Sequence, residues 1–320
     1  MSLRLAGLSV CLGVALSTAA FAQSYPTRPV TVIVPLPAGS AADSMARIVL
    51  PAAEKHLGKA IVVENEGGAA SIPGTARAAK AAPDGYTLLW GTVATHVANP
   101  NMFRNLPYDP GRDFTGVARV AGQSLFLAVP TSGGLANVDA LVAKAKTGNL
   151  TFASAGIGTS AHLSAELLKL KTGIRLRHIP YQGGSQVVLD LMRGETNMMF
   201  YSLSQFAPGL QSGQLKLLGV ASESRSRFAP DTPTLREQGY DVVITSWYGL
   251  FARSGTPTEI VAKLADAVAK ALADPAVVQA LEKTGSEPYG SASPAEFQKF
   301  TDEERRRYGE IISAAGIPKS

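Results

Sequence analysis

Short apolar runs of β type alternate with helical runs along this chain, and this alternation constrains the fold most. The run PVTVIVPL (29–36) is followed by a helical pattern at 41–58, by AIVVEN (60–65), by a second helical pattern at 75–82 and by YTLLWGT (86–92). The first run is mostly apolar on both faces, as a buried parallel strand is. The order β-α-β-α-β therefore predicts a parallel α/β sheet.

A second set of alternating elements follows an irregular segment between residues 99 and 122. Further strands are predicted at 125–131, 150–154, 174–181, 196–202, 215–222 and 241–253. Two final helices are predicted to begin at the capping boxes Thr256-Pro257-x-Glu259 and Ser293-Pro294-x-Glu296. We therefore expect two α/β domains, one formed by residues 23–124 and 241–320 and the other by residues 125–240, with a ligand cleft between them.

The first 22 residues have the features of a secretory signal peptide. Arg4 is their only charged side chain, residues 5–21 are largely apolar or small, and Ala20-Phe21-Ala22 matches a cleavage signal. Cleavage after Ala22 would remove Cys11, the single cysteine. The mature chain would then have no disulfide, no thiol nucleophile and no cysteine ligand for a metal.

The charge pattern argues against nucleic acid as a partner. The chain has 30 Lys and Arg against 25 Asp and Glu, and the basic residues are scattered. The basic cluster Arg305–Arg307 follows Asp302–Glu304, which is the ordinary self-pairing of an exposed helix face. The four histidines are far apart in sequence, so we expect no metal site and no cofactor. No apolar run after the first 22 residues approaches 18 residues, as a membrane span requires.

The stretch Gly156-Ile157-Gly158-Thr159-Ser160-Ala161 follows a predicted strand and precedes a helix, and it matches the dinucleotide fingerprint G-x-G-x-x-A. A nucleotide site also requires an acidic residue about twenty positions later to hold the ribose. The sequence there is IRLRHIPYQ, which is basic. The glycines and the helix N-terminus still favour some anion, because unsatisfied N–H groups and a partial positive charge face the ligand there.

Two further loops repeat this strand–loop–helix arrangement. We define the first loop as Pro37–Ala41, the second as Gly91–His96 and the third as Ser154–Ser160. All three follow predicted parallel strands, and open α/β sheets bind ligands at that edge. Thr159 and Ser160 either donate to the ligand or cap the helix, and Tyr201 either walls the cleft or packs in the core. The candidate ligand-binding residues are Pro37, Ala38, Gly39, Ser40, Ala41, Asp43, Thr92, Thr95, Ser154, Gly156, Gly158, Thr159, Ser160, His162 and Tyr201.

Ordered segments along nearly the whole chain resemble the receptors of tripartite tricarboxylate transporters, also called Bug-type extracytoplasmic solute receptors. The matching segments include YPTRPVTVIVP, PAGSAADSMAR, APDGYTLLWGT, LPYDPGRDF, FASAGIGTSAHLSAELLK, IPYQGGSQVVLDLMRGETNMMF and SWYGLFA. The resemblance implies a two-domain periplasmic-binding-protein fold (Venus flytrap, type II-like), a periplasmic location and a small organic acid as ligand. It also implies that backbone N–H groups, hydroxyls and waters of the three loops hold the carboxylate. Two positions depart from the family pattern, Ser40 in place of a glycine and Leu36 in place of an aromatic residue, and both concern the identity of the ligand.

The main hypothesis is therefore a monomeric periplasmic receptor that delivers a carboxylate to a membrane permease. Two alternatives remain at this point. A sensor that presents its ligand to a signalling protein would have the same fold and cleft. A secreted enzyme acting on a carboxylate would need a base, and His96 and His162 are the only plausible ones.

Overall fold

The structure is a computed structural model that describes residues 25–181, 186–289, 293–317 and 319. The predicted signal peptide and its cleavage site lie outside the described residues. The strands are β1 (Val30–Val34), β2 (Ile61–Asn65), β3 (Thr87–Thr92), β4 (Phe114–Ser124), β5 (Phe126–Pro130), β6 (Leu150–Ser154), β7 (Leu176–Pro180), β8 (Met198–Tyr201), β9 (Leu215–Val220), β10 (Thr245–Arg253) and β11 (Ser286–Pro288).

Helices connect and flank these strands. They are α1 (Ala41–Leu57), α2 (Ile72–Ala79), α3 (Asn99–Met102), α4 (Pro110–Asp113), α5 (Val138–Thr147), α6 (Ser160–Thr172), α7 (Gln186–Arg193), α8 (Leu203–Gln211), α9 (Thr258–Ala273), α10 (Pro275–Lys283) and α11 (Pro294–Ala314). Short 3₁₀ turns lie at Ala69–Ser71 and Thr131–Gly133, and a π-helical turn lies at Ala94–Ala98.

The strands form two sheets, with the orders β11-β4-β10-β3-β1-β2 and β7-β6-β8-β5-β9. Within them, β1 is parallel to β2 and β3, and β6 is parallel to β7 and β8. However, β10 is antiparallel to β3 and β4, and β5 is antiparallel to β8 and β9. Both sheets are therefore mixed rather than parallel. The chain leaves the first sheet through β4 and returns to it through β10, so these neighbours run in opposite directions.

The order of strands along the chain matches the predicted pair of α/β units. The first sheet takes its strands from residues 30–124 and 245–288, and the second takes its strands from residues 126–220. The boundaries 124/125 and 240/241 stay a prediction. Helix α9 packs its apolar stripe inward, with Leu264, Val268 and Leu272 all buried. Burial of each such side chain contributes about 1.5–3 kcal/mol.

Three further predictions about the elements were wrong. The segment 99–122, predicted to be irregular, contains α3, α4 and most of β4, whose central residues are largely buried. Three helices rather than two close the described chain. Thr256 does not cap α9, because its hydroxyl donates to the carbonyl oxygen of Arg253 instead (2.7 Å). The capping box at Ser293 and Glu296 is confirmed. Within the described residues, no helix combines the length and apolarity that a membrane crossing requires.

Candidate ligand-binding site

A cavity of about 70 Å³ lies between the two sheets, at the ends of β1, β3, β6 and β8. We call it the inner cavity. Its lining residues are Leu36, Ser40, Ala41, Ala42, Thr92, Val93, Ala94, Gln123, Leu125, Ala155, Thr159, Ser160, Ala161, Tyr201, Ser246 and Tyr248. A water molecule needs roughly 10–15 Å³ of such volume, so the inner cavity has room for about five water-sized groups. A carboxylate with its attached carbon fits this space.

A second, more open cavity of about 430 Å³ adjoins the first, and we call it the outer cavity. Four residues line both cavities: Leu36, Ala94, Ala155 and Thr159. The outer cavity is further lined by Pro37, Gly68, Ala69, Ala70, Ser71, Ile72, Phe103, Gly156, Ile157, Pro180 and Tyr181. None of these described lining residues, in either cavity, is a Lys, Arg, His, Asp or Glu.

Two helix N-termini meet at the inner cavity, one from each sheet's set of helices. Helix α1 begins at Ala41 and α6 begins at Ser160. The backbone N–H groups of Ala41, Ala42, Ser160 and Ala161 have no hydrogen-bond partner among the described residues. All four residues line the inner cavity. Each helix N-terminus carries a partial positive charge of about half a unit, so the cavity favours an anion although no cationic side chain lines it.

The first loop is held in place by a buried carboxylate. Asp43 is 3 % exposed and accepts hydrogen bonds from Gly39 N (2.9 Å), Arg47 Nε (2.9 Å) and Asn65 Nδ2 (2.9 Å). Burial by itself raises the pKa of Asp43, but these hydrogen bonds and the charge of Arg47 outweigh it and lower that pKa below its ordinary value. The carboxylate is therefore ionised and fully engaged. It positions the loop and does not line either cavity.

The third loop is held by neutral groups instead. His162 accepts a hydrogen bond at Nδ1 from Gly158 N (3.3 Å), and its ring stacks on that of His178 with centroids 4.3 Å apart. Burial, with a smaller effect of His178 and Lys169, lowers the pKa of His162 to about 3. Burial also lowers the pKa of His178 to about 4. The His178 Nε2 atom lies 2.7 Å from Ser154 Oγ, which in turn donates to Gly156 O (3.0 Å).

The second loop closes on itself after β3. The Thr95 hydroxyl accepts from Thr92 N (2.9 Å), donates to Thr92 O (3.0 Å) and lies 2.9 Å from His96 Nδ1. His96 is buried and stacks on Phe251 with centroids 3.7 Å apart, and burial lowers its pKa well below the ordinary value. Only Thr92 of these three side chains reaches the inner cavity, because the others are packed beneath it.

Tyr201 offers a hydrogen-bond donor in the inner cavity. It ends β8 and is 9 % exposed, and its hydroxyl has no partner among the described residues. Burial, together with the nearby Tyr248, raises the pKa of Tyr201, so the hydroxyl keeps its proton at neutral pH. A buried tyrosine usually finds a partner for its O–H, and here the ligand would supply it.

The two halves touch next to the cavities. A Cβ atom at Gly158 would lie 3.3 Å from Ala98 Cβ, 3.5 Å from Asn99 Oδ1 and 3.6 Å from Met102 Sδ. Gly158 also has a φ of +78°, a conformation that residues with a side chain rarely adopt. This contact brings the third loop of one half against the second loop and α3 of the other, as in a closed cleft.

The structure brings eight of the predicted residues to the cavities. Ser40, Ala41, Thr92, Ser160 and Tyr201 line the inner cavity, Pro37 and Gly156 line the outer one, and Thr159 lines both. Thr159 is also the N-cap of α6, accepting from His162 N (3.3 Å), whereas Ser160 is the first helical residue. Both roles considered for Thr159 are therefore compatible.

Seven of the residues predicted to bind the ligand lie outside both cavities, and their role in binding stays a prediction. Ala38 and Gly39 are exposed on the outer side of the first loop. Asp43, Thr95, Ser154 and His162 are buried behind the cavity walls, where their polar atoms hold the loops. Gly158 contacts the opposite half of the molecule. A sequence pattern locates a loop, but it does not show which side of the loop faces the ligand.

Sequence reasoning missed the contribution of β4 and β10. Gln123, Ser246 and Tyr248 line the inner cavity, and Tyr248 is paired with Thr92 in the antiparallel register of β10 and β3. Ser246 and Tyr248 belong to SWYGLFA, one of the segments that carry the family resemblance. Among the described residues, no group of three or more His, Cys, Asp or Glu side chains is placed to hold a metal ion.

Comparison with known proteins identifies the family. The model of the "tripartite tricarboxylate transporter family receptor" matches residues 45–317. The chain belongs to this receptor family. Protein BugT of Bordetella pertussis is 33% identical to this receptor over 318 residues, covering 97% of both chains. A protein encoded in the gbd 5' region of Cupriavidus necator is 34% identical over 319 residues, covering 99% of this chain and 96% of its own.

Solved structures of similar proteins share the fold of this receptor. The R. palustris protein Rpa4515 with adipate has a TM-score of 0.86 and 32% identity, covering 92% of this chain and 99% of its own. MatC from Rhodopseudomonas palustris with bound malate has a TM-score of 0.84 and 32% identity, covering 90% and 100%. The periplasmic binding protein BugD has a TM-score of 0.84 and 30% identity, covering 92% and 100%. The two-domain periplasmic-binding-protein fold predicted from the sequence is confirmed.

Proposed function

We propose that this receptor captures a small carboxylate in the inner cavity and delivers it to the membrane permease of a tripartite transporter. One observation carries the proposal: the unpartnered N–H pairs of Ala41–Ala42 and Ser160–Ala161 converge on one cavity from two helices. Each hydrogen bond to a charged acceptor contributes roughly 1.5–3 kcal/mol. Three or four of these bonds suffice for micromolar affinity, which corresponds to about 8 kcal/mol.

Two relatives support this ligand class, since structures of Rpa4515 and MatC contain adipate and malate. The enzyme alternative would need a base, and no histidine, aspartate or glutamate is among the described lining residues, since His96 and His162 lie behind the cavity walls. The sensor alternative shares the cleft. An uptake assay distinguishes a transport receptor from a sensor. Cells that lack a transport receptor should lose uptake of its ligand, whereas cells that lack a sensor should still take up the ligand through a constitutively expressed transporter.

Removal of single N–H donors tests the carboxylate site. Ala41→Pro and Ser160→Pro each delete one donor at the first helical position, where proline is tolerated. The preceding residues Ser40 (φ −69°, ψ 163°) and Thr159 (φ −67°, ψ 156°) already have the extended conformation that precedes proline. We expect each variant to fold normally and to lose roughly tenfold or more in carboxylate affinity.

Thr258→Pro is the matched control, since Thr258 is the exposed first residue of α9, away from both cavities. Affinity is measured by calorimetry and by thermal shift against acetate, hexanoate, benzoate, malate, adipate and citrate. A carboxylate at 100 times its dissociation constant stabilises the folded state by about 2.7 kcal/mol. The proposal fails if no carboxylate binds, or if both proline variants bind as tightly as the wild type and the control.

A further inference from the structure

The outer cavity differs in chemistry from the inner one. Its largest apolar lining residues include Leu36, Ile72, Phe103 and Ile157, which come from four different segments of the chain. The polar groups there are largely engaged: the Tyr181 hydroxyl donates to Asp190 Oδ2 (2.8 Å) and the Thr159 hydroxyl donates to Gly156 O (2.8 Å). Among the described lining residues, a second carboxylate placed in this cavity would lose water without gaining a charged side chain as partner.

Helix α2, which begins at the outer cavity with Ile72, offers no pair of N–H donors like those of α1 and α6. The first N–H of α2, at Ile72, donates to Ala69 O, and the next residue, Pro73, has no N–H. The N–H groups of Ala69 and Ala70 remain, in a turn where Ala69 is exposed and Ala70 is partly exposed. Of the described N-termini of α1, α2 and α6, only those of α1 and α6 therefore direct a pair of unpartnered N–H groups at a cavity, and that cavity is the inner one.

An unusual turn forms one wall of the outer cavity. Ala69, Ala70 and Ser71 have φ values of 41°, 57° and 66°, three consecutive left-handed residues of which none is glycine. Asn99 Nδ2 donates to Ala70 O (2.8 Å) and the Thr75 hydroxyl donates to Ser71 O (2.6 Å), which holds the turn. Such strained backbone persists only where surrounding contacts fix it, and it is found preferentially at ligand sites. Here the turn contributes Ala69 and Ala70 to the same cavity lining as Ile72 and Phe103.

We infer that the natural ligand is a monocarboxylate with a compact apolar body. Its carboxylate occupies the inner cavity, and its hydrocarbon or aromatic part occupies the outer cavity between Leu36, Phe103 and Ile157. This inference rests on the proposed function, because it assumes that the carboxylate binds at the N-termini of α1 and α6. The inferred monocarboxylate differs from adipate and malate, the dicarboxylates in the structures of Rpa4515 and MatC.

Pairs of acids that differ by a second carboxylate test the inference directly. Hexanoate and adipate differ only in the second carboxylate, as do benzoate and terephthalate. Calorimetry on the mature wild-type protein should show that hexanoate binds at least tenfold more tightly than adipate, or benzoate at least tenfold more tightly than terephthalate. Equal or tighter binding of the dicarboxylates in both pairs overturns the inference and leaves the proposed function intact. Failure of all four acids, and of malate and citrate, overturns both.

A charge placed in the outer cavity gives an independent measurement. Ile157 is 44% exposed, so Ile157→Arg should fold, and its guanidinium would face the distal end of the ligand. We expect the hexanoate-to-adipate preference to shift by at least tenfold toward adipate. Leu189→Arg, at a leucine of α7 that is 41% exposed and lines neither cavity, is the control and should leave the preference unchanged. An unchanged preference in Ile157→Arg would show that the distal end lies elsewhere, against the inference.

Discussion

The first and third loops present the same donors to the inner cavity, but the chain holds them by different chemistry. Both contain a helix N-cap, Ser40 or Thr159, and the helix that follows each N-cap begins with two unpartnered N–H groups. The first loop is fixed by the ionised Asp43 with Arg47, whereas the third is fixed by the neutral His162. Equivalent anion-binding geometry thus does not require equivalent supporting residues, and the two supports should respond differently to mutation and to pH.

The largest effect is expected at the third loop, where Gly158 meets the opposite half of the molecule. Gly158→Val combines a φ of +78° with a side chain directed at Ala98, Asn99 and Met102. We expect carboxylate affinity to fall by roughly 100-fold, equivalent to about 2.7 kcal/mol, in calorimetric titration. Gly134→Val is the control, because Gly134 also has a left-handed φ (+66°) but nothing within 4 Å of its Cβ position. Equal affinity in the two variants would remove Gly158 from any role in closure.

The second-largest effect is expected from the support of the first loop. Asp43→Ala leaves the N–H of Gly39 and the side chains of Arg47 and Asn65 without their common acceptor. We expect the free energy of unfolding to fall by about 2–3 kcal/mol, measured by urea denaturation. Asp266→Ala is the control: it breaks an exposed ion pair with Lys270 and should change the free energy of unfolding by less than about 0.5 kcal/mol. Similar values for both variants would contradict a structural role for Asp43.

The contribution of His162 in the third loop to the free energy of unfolding should decrease at mildly acidic pH, whereas the contribution of Asp43 in the first loop should not. The unfolded chain protonates His162 near its ordinary pKa of 6.5, but the folded protein does so only near 3. The unfolded state therefore binds more protons in this window, and the free energy of unfolding falls as the pH falls. The lowered pKa of Asp43 acts at lower pH, because its stabilising contribution is present above the unfolded pKa of an aspartate and is lost only below it.

His162→Gln separates this contribution from that of the other histidines, since glutamine retains an acceptor for Gly158 N. We expect the dependence of the unfolding free energy on pH, between pH 4 and 6, to decrease by up to about 1.4 kcal/mol per pH unit. Asp43→Asn should leave this slope unchanged between pH 5 and 6. If His162→Gln retained the wild-type slope, protonation of His162 would play no part in the acid response.

The smallest effect is expected for the cation that supports Asp43. The Arg47 side chain is half exposed, although it contacts both Asp43 Oδ1 and Asn65 Oδ1 at 2.9 Å. We expect Arg47→Ala to lower the free energy of unfolding by about 0.5–1 kcal/mol in urea denaturation, since solvent screens exposed pairs. A loss as large as that of Asp43→Ala would mean that the ion pair, and not the hydrogen bond to Gly39, fixes the first loop.

Much of the fold follows from local pattern. The buried strands β1, β3 and β6 are mostly apolar runs, and helices begin where small or hydroxyl residues follow the strand. The same pattern located the first and third loops. It did not predict β4 as a strand, because Gly116, Arg119 and Gly122 interrupt its apolar residues. Gly116 and Gly122 are nevertheless needed where Phe297 and Tyr289 pack closely on the sheet.

The sequence by itself determined that helix N-termini follow parallel strands in two separate halves of the chain, since strand–glycine–helix signals are local. Only the tertiary structure decided that α1 and α6 point at one cavity, that Asp43 and His162 lie behind its walls, and that Tyr248 of β10 joins Thr92 there. The physical reason is distance along the chain. The first and third loops are separated by more than a hundred residues, and the antiparallel return of β10 between β3 and β4 sets which side chains meet.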